Sequence, residues 1–371
     1  MKHIMISAGE VSGDLHAANL IKSLKEKRAD IEVSGTGGVR LEEAGCKLIY
    51  NLVDIAEIGF SEIVKHYSIY KKVFNEFVAQ AKLQKPDLVI LVDFPGFNMR
   101  LAREMKKLSI PVVYYISPQV WAWGKGRIEK IKKLVTKMIV FFKFEEDLYK
   151  KHGVNAEFVG HPFLDIVKPG GTLQKNPDQT TVALLPGSRK TEIRRHLPTM
   201  LKAAALIKKR ISNANFLIAK APELGIDVYQ PYLDQNNPDY QVIDNATYDC
   251  VNVSDLVIVS SGSATLETAI LEKPMVVIYK LSWLSYFLLK KLVSIKNFAM
   301  VNVVAGKTIV PELLQNQASP EAIAKEALNI ISSDEKQNQI KISLQELKNS
   351  LGEKGASVRA AEIISGLIDQ L

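Results

Sequence analysis

Short apolar runs alternate with stretches of helical period along the whole chain. In the first half the runs His3–Ser7, Glu32–Gly35, Leu88–Asp93, Val112–Ile116, Met138–Phe142 and Glu157–Gly160 read as strands, with helical patterns such as Leu15–Leu24 between most of them. The second half restarts the alternation at Val182–Leu185, Phe216–Ala219, Gln241–Ile243, Leu256–Ser260 and Pro274–Tyr279. Strands alternating with helices predict parallel sheets covered by helices. Residues 168–178 are rich in Pro, Gly and polar side chains and read as a linker. The predicted fold is α/β, with two doubly wound Rossmann-like domains facing a cleft, over residues 1–167 and 179–345. A helical tail, 346–371, either packs back on the first domain or swaps into a partner chain. Ligands of such sheets bind beyond the carboxyl ends of the strands.

A length of 371 residues fits two domains, and 47% hydrophobic content is ample for two cores. The net charge of +8 implies an anionic partner (nucleic acid, an acidic membrane surface or a phosphorylated metabolite) or an ordinary basic enzyme. Cys46 and Cys250 are far apart and have no metal-ligand spacing, which fits a reducing compartment. The start of the chain has the pattern of neither a signal peptide nor a membrane span, and no window of about 18 apolar residues occurs.

The turn Ser7-Ala8-Gly9-Glu10-Val11-Ser12-Gly13-Asp14 joins the first strand to the first helix. A Gly-rich turn admits a ligand close to the backbone. Glu10 and Asp14 suit hydroxyl groups or general base work, and the dinucleotide spacing G-x-G-x-x-G is absent, so the turn fits a sugar or alcohol. Alternatively, Gly13 and Asp14 simply make a turn and cap a helix. Leu88–Asp93 is a buried strand ending in an acid, followed by the turn Phe94-Pro95-Gly96-Phe97-Asn98; Asp93 is placed to be a general base or to cap the next helix. Tyr114–Gly124 holds Trp121 and Trp123, two of the three tryptophans, as a pocket floor or as core packing. The basic run Lys125, Arg127, Lys130, Lys132 and Lys133 follows, either as a solvated face or facing phosphate or membrane.

In the second half, Leu184-Leu185-Pro186-Gly187-Ser188-Arg189-Lys190 reads as strand, tight turn and helix, with Arg189 suited to a phosphate. Ser260-Ser261-Gly262-Ser263-Ala264-Thr265-Leu266-Glu267 repeats that pattern, with amides and hydroxyls for a diphosphate and Glu267 for ribose hydroxyls. The Walker spacing is absent. Two segments look adapted to lipid: the stripe Ile63, Tyr67, Tyr70, Phe74, Phe77, Ala81 with Ile55, Ile58 and Phe60 upstream, and the apolar run Trp283–Val293.

At these motifs the chain resembles the lipid-A-disaccharide synthase family of inverting glycosyltransferases with the type B fold. The matching stretches are SAGEVSGDLHAANL (7–20), VDFPGFN (92–98), SPQVWAWGKGR (117–127), VGHPFLD (159–165), LLPGSRKTEI (184–193), SGSATLE (261–267) and PMVVIYKLS (274–282). The resemblance implies transfer of a diacylglucosamine from UDP-2,3-diacylglucosamine to 2,3-diacylglucosamine 1-phosphate, giving a β-1,6 disaccharide and UDP for lipopolysaccharide. It implies no cofactor, no metal and no nucleic acid, and work at the inner face of the cytoplasmic membrane; a homodimer stays open. Carried onto this chain, it puts Gly187, Ser188, Arg189, Gly262, Ser263, Thr265, Glu267 and Asn302 at the nucleotide sugar, and Gly9, Ser12, Asp14, Asn98, Gln119, Trp121 and Trp123 at the acceptor and its lipid. Asp93 is the expected base, Glu10 its rival, and Arg189 the group that stabilises the leaving charge. Some members carry a second acid where this chain has Gly96. The competing readings are another UDP-N-acetylglucosamine enzyme of the same fold, such as a lipid-linked transferase or 2-epimerase, and a basic membrane-surface adaptor.

Overall fold

The computed structural model describes residues 1–56, 63–123, 126–233, 240–280 and 297–371. They form two compact units, Met1–Pro162 with Leu351–Leu371, and Phe163–Ser350. The first runs β1 (Lys2–Ala8), α1 (Val11–Lys27), β2 (Ile31–Gly37), α2 (Val39–Glu43), β3 (Lys47–Asn51), α3 (Val53–Ala56), α4 (Ile63–Gln84), β4 (Leu88–Val92), α5 (Pro95–Lys107), β5 (Val112–Tyr115), α6 (Val120–Trp123), α7 (Gly126–Leu134), β6 (Lys137–Val140), α8 (Lys143–Lys151) and β7 (Ala156–Phe158). The second runs α9 (Phe163–Ile166), β8 (Thr180–Leu185), α10 (Lys190–Lys208), β9 (Ala214–Lys220), β10 (Tyr240–Asp244), α11 (Thr247–Val253), β11 (Leu256–Ser260), α12 (Ser263–Ile270), β12 (Met275–Tyr279), α13 (Met300–Ala305), β13 (Glu312–Leu314), α14 (Pro320–Ile331) and α15 (Asp334–Ser350). The last helix, α16 (Ala356–Ile368), belongs to the first unit.

Both sheets are parallel, in the orders β3-β2-β1-β4-β5-β6-β7 and β10-β9-β8-β11-β12-β13. The central strands are apolar throughout because helices cover both faces. Alternation sorts their side chains: Ile4, Ile6, Leu88 and Ile90 enter one core with α1 and α16, while Met5, Val89 and Leu91 enter another with α4 and α5. β3 and β13 have no counterpart among the strands expected from the apolar runs. Both are edge strands of mixed polarity: every β13 residue is only partly buried and Lys47 of β3 is exposed, so neither forms a buried run.

The stripe on α4 is a correction to its reading as a lipid-adapted segment. From Tyr70 to Ala81 it faces the protein: Phe77 and Ala81 are fully buried, and Tyr70 and Phe74 pack against the same core. Ile58 and Phe60, the side chains of Ile55, Ile63 and Tyr67, and the whole of Trp283–Val293 lie outside the described residues. Among the described residues no helix is long and apolar enough to cross a membrane.

α16 lies along α1, with Ala356, Ala360, Ala361, Ile364 and Ile368 buried among Leu20, Leu24 and the β1 side chains. The Arg359 guanidinium donates to the carbonyls of Val159, Glu353 and Lys354 and so ties this returning segment to the end of β7. Ile364 is fully buried in that core. Ile364→Ala is expected to cost about 2–5 kcal/mol, measured as a lowered denaturation midpoint in urea.

Candidate active site

In the first sheet β1 has β2 on one side and β4 on the other, so the chain reverses its direction of spread between β1 and β4. The connections leaving these two strands part there and open a crevice. The register pairs Ala8 with Val92, which sets Gly9 and Glu10 level with Asp93 and Phe94. Contact is close enough to require glycine: a Cβ on Gly9 would lie 2.4 Å from the Phe94 ring.

Asp93 and Phe94 both adopt the left-handed region, at φ 46° and 44°, and Ile116 at the end of β5 does so at 68°. Such conformations cost on the order of 1–3 kcal/mol each and persist where the surroundings over-determine them. Here the surroundings do. The Asp93 N–H donates to the Tyr115 carbonyl at 3.0 Å. The Asp93 carbonyl accepts from Tyr114 Oη at 2.7 Å and from Asn98 Nδ2 at 2.9 Å. Asn98 is fully buried; its amide also reaches the carbonyls of Val92 and Ser7, and its Oδ1 accepts from Ser7 Oγ at 2.8 Å. One side chain thus joins the ends of β1 and β4.

Burial, and then the charge of Glu10, raise the Asp93 carboxyl to about 6. It is therefore ionised at neutral pH yet basic enough to take a proton from a hydroxyl. Glu10 and Ser12 are exposed at the start of α1. Asp14 is buried and works as a cap: its carboxylate accepts from the N–H groups of Gly38, Arg40 and Leu41, at 2.6, 3.2 and 3.3 Å. Phe94, Phe97, Tyr70 and Phe74 form an aromatic wall beside Asp93, with ring centroids 5.8–6.4 Å apart. Gln119 is exposed. The Trp121 indole N–H donates to Glu145 Oε1 at 3.2 Å. The side chain of Trp123, with Gly124 and Lys125, lies outside the described residues, while Arg127, Lys130, Lys132 and Lys133 form the solvated face of α7.

The second sheet reverses between β8 and β11, and the other two turns sit at that point. Gly187 has φ 128°, and a Cβ on it would meet Glu192 Oε2 at 2.4 Å. That carboxylate accepts from the N–H groups of Ser188 and Arg189 at 2.9 and 3.3 Å. The turn's amides are thus bonded to a carboxylate of the same chain, and the Arg189 side chain, 80% exposed, reaches the same Glu192 carboxylate at 3.9 Å. In the second turn Gly262 and Ser263 are exposed, and a Cβ on Gly262 would meet nothing within 4 Å. The first amides of α12 face that space, as a helix N-terminus presents them to an anion. Thr265 Oγ1 is turned inward to the Gly262 carbonyl at 2.8 Å, and Ser263 Oγ donates to Glu267 at 2.8 Å. Asn302 is fully buried: its side chain bonds Ile309 and Val310 N–H, the Val310 carbonyl and Glu312, a tie within the fold.

Three groups here carried no signal in sequence. Tyr248 stands beside Glu267; burial and that charge raise its phenol. His196 joins two strand ends, its Nδ1–H donating to the Pro186 carbonyl at 2.9 Å while Nε2 accepts from Lys280 N–H at 3.2 Å. These partners fix the neutral tautomer. Glu145 is the third: in the run Phe144-Glu145-Glu146 it reads as a surface acid, and only the packing of α8 turns it inward.

A family model described as lipid-A-disaccharide synthetase matches residues 4–365. The lipid-A-disaccharide synthase of Syntrophus aciditrophicus (strain SB) is 44% identical over 99% of this chain and 98% of its own length. That of Coxiella burnetii (strain CbuG_Q212) is 37% identical over 99% of each. Among solved structures, the S. aureus MnaA–UDP co-structure aligns with a TM-score of 0.67 at 16% identity, covering 100% of this chain and 98% of that one. CalG4, the calicheamicin glycosyltransferase, aligns at 0.65 and 13%, covering 100% and 99%. These likenesses establish the fold, two parallel-sheet α/β domains of the glycosyltransferase type B class.

Asn98→Ala removes the acceptor of the Ser7 hydroxyl and the amide donor to the carbonyls of Ser7 and Val92, and leaves the Asp93 carbonyl to Tyr114 alone. It is expected to cost at least about 2 kcal/mol of stability, measured by urea denaturation, and to lower turnover at least roughly tenfold by releasing Asp93.

Proposed function

The chain belongs to the lipid-A-disaccharide synthetase family, a glycosyltransferase family, and we propose how its residues divide the reaction. UDP-2,3-diacylglucosamine is the donor and 2,3-diacylglucosamine 1-phosphate the acceptor. Asp93 takes the proton from the acceptor 6-hydroxyl as that oxygen attacks the donor's anomeric carbon. The bond to UDP breaks on the opposite face, and the new β-1,6 linkage has inverted configuration. The observation that carries this reading is the half-buried Asp93 carboxyl, raised to about 6, on a backbone whose carbonyl is held by Tyr114 and Asn98 at the reversal of the first sheet. Glu10, the rival, is exposed, and its role is to keep Asp93 basic through its charge.

In the second unit, Arg189 meets the charge developing on the diphosphate, so that no metal is required for departure. Gly262, Ser263 and the start of α12 bind the phosphates, and Glu267 takes the ribose hydroxyls. Gly187 and Ser188 shape the turn that presents Arg189. In the first unit we assign Gly9, Ser12, Gln119, Trp121 and Trp123 to the acceptor, with the Phe94–Tyr70 wall as an apolar boundary. The acylated substrates place the enzyme peripherally at the inner face of the cytoplasmic membrane, where the basic face of α7 favours an acidic leaflet by about 1 kcal/mol per residue.

A metal-free assay, with EDTA, of both acyl substrates tests the proposal by following UDP and disaccharide together. The wild type is expected to form disaccharide with a pH profile that falls below about 6. Asp93→Asn is expected to bind UDP and to lose at least about 10²-fold in rate. An active Asp93→Asn protein would move the base to Glu10. A folded, UDP-binding wild type that makes no disaccharide but epimerises or hydrolyses a UDP-sugar would favour the other UDP-sugar enzymes.

The same carboxyl acts on stability. Its folded value, about 6, lies above the unfolded value near 3.8. Ionisation therefore weakens the fold progressively as pH rises from about 4 to 6, and the loss is constant above that. Asp93→Asn is expected to be more stable than wild type at pH 7.5, by on the order of 1–3 kcal/mol, with the gap closing near pH 4. Thermal melts at the two pH values measure it.

A further inference from the structure

Glu145 on α8 is buried, yet the cations of its helix serve another acid: Lys143 and Lys150 both bond Glu146. Glu145 instead points inward, where Oε1 accepts from the Trp121 indole at 3.2 Å and the carboxyl also bonds Ser117. Ser117 Oγ lies 2.9 Å from Tyr149 Oη, and Tyr114, which holds the Asp93 carbonyl at 2.7 Å, feels the charges of both Asp93 and Tyr149. The indole is braced on its other side by an edge contact with Phe144, 5.8 Å between centroids.

We propose that Glu145 is a positioning residue for the acceptor side: as a neutral acid it aims the Trp121 indole and, through Ser117 and Tyr149, supports the layer beneath Asp93. Among the described residues, the titratable groups that face it are Asp93 from the end of β4 and Tyr149 from its own helix, and neither is a cation that would compensate a carboxylate there. Burial, reinforced by the Asp93 charge, raises Glu145 to about 8, while Asp93 stands at about 6. The two carboxyls therefore part into an ionised member at the crevice and a protonated member behind it. An ionised Glu145 would add its negative charge to that of Glu10 in the surroundings of Asp93 and disturb the contacts that orient Trp121. This role rests on the reading of Asp93 as base for its effect on activity, and on geometry alone for its effect on Trp121.

The test is built to separate the two. In a Trp123→Phe, Trp283→Phe background the single indole is Trp121, and its emission is followed against pH without substrate. A transition centred near 8 is expected, and Glu145→Gln, which keeps the acceptor oxygen but cannot ionise, should abolish it. A flat parent titration between about pH 7 and 9, or a transition that survives in Glu145→Gln, overturns the proposal. The parent titration decides by itself if the Gln variant does not fold. In the otherwise unaltered enzyme, Glu145→Leu is expected to raise the acceptor KM roughly tenfold at pH 7 with a smaller change in kcat. Glu145→Gln should rescue that KM and lose the alkaline fall of kcat/KM. An acceptor KM unmoved by Glu145→Leu also overturns it. If the Trp121 transition is found but no disaccharide forms with any variant, the reaction assigned above fails and the Trp121–Glu145 coupling stands.

Discussion

The site in the first unit depends on the amide of Asn98. A parallel sheet holds its strands together only as far as the ladder runs, and beyond Ala8 and Val92 the two chains part. Asn98 bridges that gap, collecting the carbonyls of Ser7, Val92 and Asp93 and the hydroxyl of Ser7. With the Asp93 carbonyl held also by Tyr114, two consecutive left-handed residues are stable without glycine. The strained turn holds an aspartate at the strand end whose burial raises its basicity. Asp14 shows the contrast: a carboxylate of the same region, bonded to three amides of its own chain and committed to structure.

The second unit solves a different problem with the same topology. Two strand-to-helix turns flank its reversal, but they are prepared unequally. Glu192 occupies the amides of the turn after β8, while the turn after β11 opens onto empty space above Gly262. The internal carboxylate at the first turn thus leaves the amides of the second turn as the unengaged pair, with the exposed Arg189 guanidinium beside Glu192. His196 links the first turn to the end of β12 through a neutral ring whose two nitrogens have opposite duties.

Much of this was legible in sequence, because buried parallel strands are written as unbroken apolar runs and the chemistry follows directly after them. Asp93, Arg189 and Gly262 stand one to four residues past such runs, as the fold class demands. β3 and β13 were not legible, since an edge strand with a wet face has no continuous apolar signature. Nor was the direction of a polar side chain: Asn98, Asn302 and Thr265 look like ligand groups in a motif, and each is bonded inside the fold. Nothing in the run Phe144-Glu145-Glu146 signals that both acids are buried. On α4, periodicity showed that one face was apolar without showing that Phe97 and the sheet, rather than lipid, cover it from Tyr70 onwards.

The packing of α16 against α1 has a consequence for how the protein is made. The first unit's core contains Ile364 and Ile368 beside Ile4 and Leu24, so it cannot close when residues 1–162 leave the ribosome. Those residues must wait, with the α1 side of their sheet uncovered, while the whole of 163–350 is synthesised. The second unit, contiguous in sequence, can finish folding first, although it is translated later. The closing of the first unit's core is thus tied to the last residues of the chain, and its α1 face is the apolar surface left uncovered longest during synthesis.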